Sequence, residues 1–160
     1  MTEVTPNHHS ALLYVSYPCT KLGAPVLRRD AFRLPRHPAS VADARRRVRE
    51  HLTAWGHRAE DEIMEESVLV VSELAANVVR HAPMPAREFE IAVTVLADAS
   101  CFIEVSDESP APPVPGHLRS WEQESGRGLP LVDALARTWG VHHHGAHGKT
   151  VWALVTCGAR

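Results

Sequence analysis

The spacing of apolar residues predicts two helices in the first half of the chain. Apolar residues recur at helical intervals over 41–55, with Ser40 as a candidate N-cap and Gly56 ending the run. A longer helix is predicted over 61–81, because acidic residues collect near its start, where the helix dipole favours them, and Pro83 stops it. Two consecutive helices therefore precede most of the predicted strands.

Alternation of apolar and polar residues predicts strands in much of the remaining chain. Five segments are assigned as strands: 31–35, 89–95, 101–106, 138–142 and 150–156. The first ends at Pro35 and suits a short edge strand, whereas the second and third flank a turn over 97–100 and form an antiparallel hairpin with one buried face. A third helix is predicted over 129–135, after a polar, proline-rich loop over 108–125.

The order of these elements indicates the fold class. Helix, helix, hairpin, helix and hairpin follow one another, so the helices are expected to form a layer on one face of a sheet. The prediction is an α+β fold, a two-layer α/β sandwich with a mixed, mostly antiparallel sheet. Residues 1–29 carry no sustained period and are predicted to be an irregular extension, and residues 30–160 are predicted to form one domain.

Composition and charge argue against several function classes. The apolar share of 44% is ordinary for a globular protein, and a net charge of -2 provides no overall positive potential that would attract nucleic acid. No apolar run reaches the roughly 18 residues that a membrane span needs, and the first residues lack a signal-peptide pattern. The three cysteines form neither a CxxC nor a zinc pattern. We therefore expect a cytoplasmic protein with reduced thiols that binds neither nucleic acid nor membrane.

A polar stripe on the second predicted helix is the first candidate site. At about 3.6 residues per turn, Glu73, Asn77 and Arg80 lie along one line, turned away from the apolar stripe of the same helix. Asparagine can ligate a hard cation, glutamate can deprotonate a nucleophile, and arginine can hold phosphate. An amphipathic helix with polar residues at its edge explains the same pattern without any function.

Further candidates follow the predicted hairpin. Strand parity places Asp107 on the core face, where a carboxylate is costly unless a donor such as an amino group pairs with it; an Asx turn is the alternative. Gly126 and Gly128 open the third helix, where backbone N–H groups could hold an anion, although a flexible helix start has the same residues. Residues 148–150 are not a Walker A motif, because a strand follows them.

The order and spacing of these motifs resemble the GHKL, or Bergerat-fold, ATPase superfamily. The shared pattern is Glu-x-x-x-Asn on a helix, Asp after a hairpin, Gly-x-Gly opening a helix, and Thr in the last strand. The likeness is strongest to the anti-sigma-factor serine/threonine kinases and their small bacterial ATP-binding regulatory relatives. Residues 70–82, 105–110 and 126–136 carry it, and it covers about residues 31–156. The resemblance implies an ATP-binding domain with the GHKL fold.

The resemblance also implies a role for each matching residue. Asn77 would bind the Mg²⁺ that bridges the phosphates of ATP, and Glu73 would be the catalytic residue that either deprotonates or orients the attacking hydroxyl. Asp107 would accept a hydrogen bond from the adenine amino group, helped by the Thr150 hydroxyl through water. The remaining implied contacts are to phosphate, from the Gly126 and Gly128 backbones and from three cations: Arg80, and Arg119 and Arg127 in the lid.

The implied function is that of a serine/threonine protein kinase of the anti-sigma-factor type, which transfers the γ-phosphoryl group of ATP to a protein hydroxyl. Its partners would be a sigma factor and an antagonist, or anti-anti-sigma, protein. Such a kinase regulates transcription by partner switching. The relatives are often dimers, which leaves a homodimer open for this chain.

A departure from the family pattern keeps a second function open. The family's Asp-x-Gly-x-Gly is replaced by a sequence without glycine, Asp107-Glu108-Ser109-Pro110-Ala111. The alternative is a non-catalytic binding module of the same fold. Such a module would regulate by protein–protein contact, with or without ATP.

A histidine cluster near the C-terminus offers a rival site. His142 and His144 would share one face of a strand and could hold a metal. No cysteine or carboxylate is near them in the sequence, so an exposed hairpin end is favoured over a metal site.

Overall fold

A computed structural model describes residues 24–81, 88–107, 129–144 and 148–158 of the chain. The elements within these residues are, in chain order, β1 (Val26–Pro35), α1 (Ala39–Ala54), α2 (Glu62–His81), β2 (Glu88–Leu96), β3 (Cys101–Asp107), α3 (Leu129–Leu135), β4 (Thr138–His143) and β5 (Lys149–Val155). Helices and strands thus follow one another in the predicted order.

The described strands form one open sheet in the order β1-β2-β3-β5-β4. The predicted α+β class is confirmed, but every described pairing is antiparallel, so this sheet is not mixed. β1 is an edge strand as predicted. It begins at Val26 because it pairs along the whole of β2, from Val26 opposite Leu96 to Pro35 opposite Glu88. The boundary predicted at residue 30 therefore falls inside a strand.

α2 is the central element of the helix layer, since it contacts α1, α3, β3 and β5. Its apolar stripe of Val71, Leu74 and Val78 is buried, as the helical spacing predicted. The core around this stripe includes inward-facing residues from the other helices and from the sheet: Val48, Leu52, Ile91, Val93, Ile103, Val105, Val132, Val151 and Ala153. Among the described helices, none combines the length and apolarity that crossing a membrane requires.

The start of α1 differs from the prediction. Pro38 occupies the N-cap position without a side-chain capping bond, and the N–H of Ala39 donates to Nδ1 of His37 at 3.1 Å, so the expected capping role of Ser40 is wrong. The buried Ser40 hydroxyl lies inside the first turn and donates to the carbonyl oxygen of Pro35 at 2.5 Å. The hydroxyl reaches back because β1 ends just before the helix begins. The helix ends as predicted near Gly56, whose φ of 96° favours glycine.

The β2–β3 hairpin is buried on both faces, which corrects the prediction of one buried face. All of β3 is buried. On the side away from the helices, Leu96, Phe102 and Leu154 form a second apolar cluster. On the same side, Arg29 donates to the buried Glu104 carboxylate at 2.7 Å. Burial raises the pKa of Glu104, and the positive charge of Arg29 opposes that rise.

Cys101 is expected to resist alkylation until the protein unfolds. Its side chain is 1% exposed, and burial raises its pKa to about 11, against the opposing effect of the Ser67 hydroxyl. Because the thiolate is the reactive form, iodoacetamide at mildly alkaline pH should label Cys101 only in denaturant. Peptide mass spectrometry would measure the label at each cysteine, with the exposed Cys157 as the internal control. Equal labelling of both in the native protein would contradict the described packing.

Candidate functional site

A cleft opens between α2 and the sheet, where β3 ends and β5 begins. Its described lining comes from these three elements: Leu74, Asn77, Val78, Val105, Asp107, Lys149 and Val151. The empty space in the cleft, its open mouth included, is about 320 Å³. Apolar walls that hold a few polar groups are typical of sites for small molecules.

The register of β3 and β5 explains why two charged residues meet in this cleft. Asp107 lies directly opposite Lys149, two residues along from the pair of Val105 and Val151. Because side chains alternate along a strand, both pairs face the same side of the sheet, which α2 covers. Asp107 is only 4% exposed and lies on the core face, as strand parity predicted.

Asn77 brings a buried amide to the wall opposite the strands. Its side chain is 5% exposed, and its Nδ2 atom makes no hydrogen bond with the described residues. A buried amide nitrogen without a partner costs roughly 1–3 kcal/mol. The amide oxygen and nitrogen can exchange places by rotation, so the group can offer either atom to a ligand. Asn77 is therefore suited to bind a group that enters the cleft.

Lys149 lies in the cleft beside Asp107, although the sequence singled it out only as part of residues 148–150 and indicated no role for its side chain. Its side chain is half-buried, and burial lowers its pKa to about 8, while the negative charge of Asp107 acts in the opposite direction. The Asp107 carboxylate, which accepts hydrogen bonds, and the Lys149 ammonium, which donates them, are therefore neighbours in the cleft. The available signal was alternation, because residue 149 is in phase with Val151 and Ala153 of the core.

Thr150 lies on the opposite face of the sheet, away from Asp107 and the cleft. Alternation turns its side chain away from α2, since Lys149 faces that helix. The Thr150 hydroxyl lies 2.7 Å from the Ser106 hydroxyl and 2.7 Å from Nε2 of His144. The expected joint contact of Asp107 and Thr150 with adenine therefore finds no support in this geometry.

Glu73 and Arg80 flank Asn77 along α2 but are not among the described residues that line the cleft. Glu73 is half-buried, one turn before Asn77, whereas Arg80 is exposed near the end of the helix. The predicted polar stripe thus follows α2, and its middle residue is the one that lines the cleft.

The other predicted phosphate contacts fall outside the described residues. They are Arg119, Gly126, Arg127 and Gly128, which all belong to segment 108–128. Their roles remain predictions from the resemblance.

The histidine cluster takes part in hydrogen bonding on the face opposite the cleft. The rings of His142 and His144 are 4.7 Å apart, and His144 contacts the Thr150 hydroxyl. Burial lowers the pKa of His144, and the neighbouring His142 and His143 act in the same direction, which favours a neutral ring. Within the described ranges, no three His, Cys, Asp or Glu side chains come together to hold a metal.

Comparison with known proteins identifies a family and a similar fold. Residues 34–155, which include the whole described lining of the cleft, match the family described as a histidine kinase-like ATPase domain. The fold is similar to the crystal structure of the RsbU and RsbW domains of Rv1364c from Mycobacterium tuberculosis, with a TM-score of 0.60 and 19% identity. This match covers 81% of the present chain and 32% of that chain, so the present chain spans about a third of its length. No curated protein sequence matches the chain.

Thr150→Val should lower stability without altering the cleft. The change removes both contacts of the Thr150 hydroxyl and leaves the buried Ser106 hydroxyl without that partner. The free energy of unfolding in urea should fall by roughly 1–3 kcal/mol. Ser106→Ala is the matched variant, and the double variant should lose less than the sum of the two, because both single changes break one shared bond. Strictly additive losses would show that the two hydroxyls are not coupled.

Proposed function

The chain belongs to the histidine kinase-like ATPase domain family, and on this premise we propose that it binds ATP with Mg²⁺ and acts as a serine/threonine protein kinase of the anti-sigma-factor type. The observation that carries the proposal is the cleft, in which α2 supplies the buried amide of Asn77 and β3 supplies the buried carboxylate of Asp107. The family match supports ATP as the ligand.

The adenine base is proposed to lie against β3 and β5. Val105 and Val151 would contact the purine ring with apolar side chains, and Leu74 lines the cleft from α2. The Asp107 carboxylate would accept a hydrogen bond from the amino group of the base. A buried carboxylate makes this contact selective, because a base with only an acceptor at that position would place two hydrogen-bond acceptors face to face without a donor between them.

Asn77 fits the metal role that the family implies. Its buried amide makes no hydrogen bond through Nδ2 with the described residues, so the amide could rotate to present its oxygen there, and an amide oxygen is a ligand that Mg²⁺ accepts. When bound, Mg²⁺ would neutralise part of the charge of the phosphates. Asn77 would hold the ion from α2, whereas Asp107 would hold the base from β3.

Glu73 is proposed to act on the protein substrate. It lies one turn before Asn77 on α2, half-buried and outside the described lining of the base site. Its carboxylate would accept the proton of the attacking serine or threonine hydroxyl. The hydroxyl oxygen then bonds to the γ-phosphorus, the bond from that phosphorus to the bridging oxygen breaks, and ADP leaves.

The proposed partners follow from the resemblance to anti-sigma-factor kinases. They are a sigma factor, which the kinase would hold, and an antagonist protein, which would carry the phosphorylated residue. Partner switching between them would regulate transcription in the cytoplasm. The fold similarity to the structure of the RsbU and RsbW domains is compatible with this assignment and concerns the fold.

A non-catalytic binding module is the second candidate. The observation in its favour is the sequence Glu108-Ser109-Pro110-Ala111 after Asp107, which contains no glycine where the family pattern has two. Ser109 and Ala111 stand at the two glycine positions, and Pro110 between them restricts a backbone that glycine would let approach a nucleotide closely. A module of this kind would keep the fold and regulate by contact alone.

Asn77→Ala should remove the Mg²⁺ dependence of ATP binding. Alanine supplies no ligand oxygen, while it suits the helix and leaves the apolar stripe intact. Calorimetric titration of ATP with and without Mg²⁺ would measure the effect. Asn77→Asp, which keeps a ligand oxygen, should retain the dependence. If Asn77→Ala binds ATP with the wild-type Mg²⁺ dependence, another group holds the ion.

Glu73→Gln should separate chemistry from binding. Glutamine keeps the shape of the side chain but not its basicity, so phosphoryl transfer should fall by roughly 100-fold or more while ATP affinity changes little. Transfer of labelled phosphate to partners captured from the source cell would measure it. Glu65→Gln, an exposed change on the same helix, is the control and should transfer at the wild-type rate.

Two outcomes would contradict the kinase assignment in different ways. Equal transfer by the wild type and Glu73→Gln would exclude Glu73 as the base. ATP binding without transfer to any captured partner by the wild type would favour the binding module.

A further inference from the structure

The cleft also holds a cation, on the strand next to the one that carries Asp107. Among the described residues of the lining, Lys149 is the one that carries positive charge. It stands directly opposite Asp107 in the strand register, on the side of the sheet that α2 covers. Directly opposed residues have Cβ atoms about 5 Å apart, so the two side chains enter the cleft together.

We propose that Lys149 is a specificity-determining residue that reads the base beside Asp107. This inference rests on the proposed ATP site. The Lys149 ammonium would donate a hydrogen bond to the ring nitrogen N1 of adenine, next to the amino group that donates to Asp107. The two side chains would thus recognise an adjacent donor and acceptor on one edge of the base.

The chemistry of the pair matches that edge. A carboxylate accepts hydrogen bonds and an ammonium only donates them, so together they complement a donor beside an acceptor. Adenine presents its amino group and N1 side by side. The negative charge of Asp107 also favours the charged form of Lys149, against the burial that lowers its pKa. A base without N1 would leave the ammonium facing carbon, which is costly in a partly buried site.

The position of Lys149 favours the base over the phosphates as its target. Asp107 and Lys149 occupy one end of paired strands, whereas the residues assigned to Mg²⁺ and to phosphoryl transfer, Asn77 and Glu73, belong to α2. Val105 and Val151, the next pair along the strands, continue the same wall with apolar side chains. An ammonium at this point therefore adjoins the apolar wall and the carboxylate that a base would meet.

The test compares ATP with 1-deaza-ATP, which keeps the amino group but has carbon in place of N1. Calorimetric titration of the full chain should give ATP a Kd about tenfold or more below that of the analogue, because a hydrogen bond to a charged donor is lost. In Lys149→Met this preference should disappear, because the affinity for ATP should fall while the affinity for 1-deaza-ATP changes little.

The matched control removes a positive charge elsewhere on the same sheet. Arg137 is exposed near the far end of β5, where its backbone N–H donates to Leu154 and its charge acts on Asp98 in the β2–β3 turn. Arg137→Met should keep the wild-type preference for ATP. Circular dichroism would check that each variant is folded.

Several results would overturn the inference. Equal affinities of the wild type for ATP and 1-deaza-ATP would do so without any variant. If Lys149→Met kept the wild-type preference for ATP, or lost affinity equally for ATP and 1-deaza-ATP, Lys149 would contact phosphate or serve the fold instead. Binding of neither nucleotide by the wild type would refute the proposed ATP site as well, whereas binding without discrimination refutes only the role of Lys149.

Discussion

The packing of α2 across β3 and β5 is the contact on which both the core and the cleft depend. Leu74 and Val78 belong to the buried core and also line the cleft, as do Val105 and Val151 from the strands. The contacts that stabilise the fold are therefore the contacts that set the width of the site. A substitution that widens this packing would remove apolar burial and move Asn77 away from Asp107 at once.

Strand alternation at the start of β5 divides its polar residues between two environments. Lys149 faces the cleft and Asp107, whereas Thr150 faces the other side and contacts Ser106 and His144. A shift of one residue in the β3–β5 register would exchange the two environments. The pairing of Val105 with Val151, which places both in the core, holds the register and so keeps the ammonium beside the carboxylate.

The second face of the sheet adds constraints that an exposed face would not. Phe102 and Leu154 are buried there, and so is Glu104, which pairs with Arg29 from the edge strand. Removing either member of such a pair would leave the other charge partly buried, which is generally more costly than replacing both. β1 is thus held to the sheet by side-chain ionic contact as well as by its backbone pairing with β2.

The sequence by itself determined the features that depend on local spacing. Helical period identified α2 and its buried stripe, and alternation identified the β2–β3 hairpin and the inward direction of Asp107, because each pattern reports the period of its own element. Motif order was enough to indicate the ATPase family that the comparison confirmed. The tertiary structure alone decided which strands became neighbours. The insertion of β5 between β3 and β4, the meeting of Lys149 with Asp107, and the burial of the second face all arise from contacts between residues far apart in sequence, which no local period encodes.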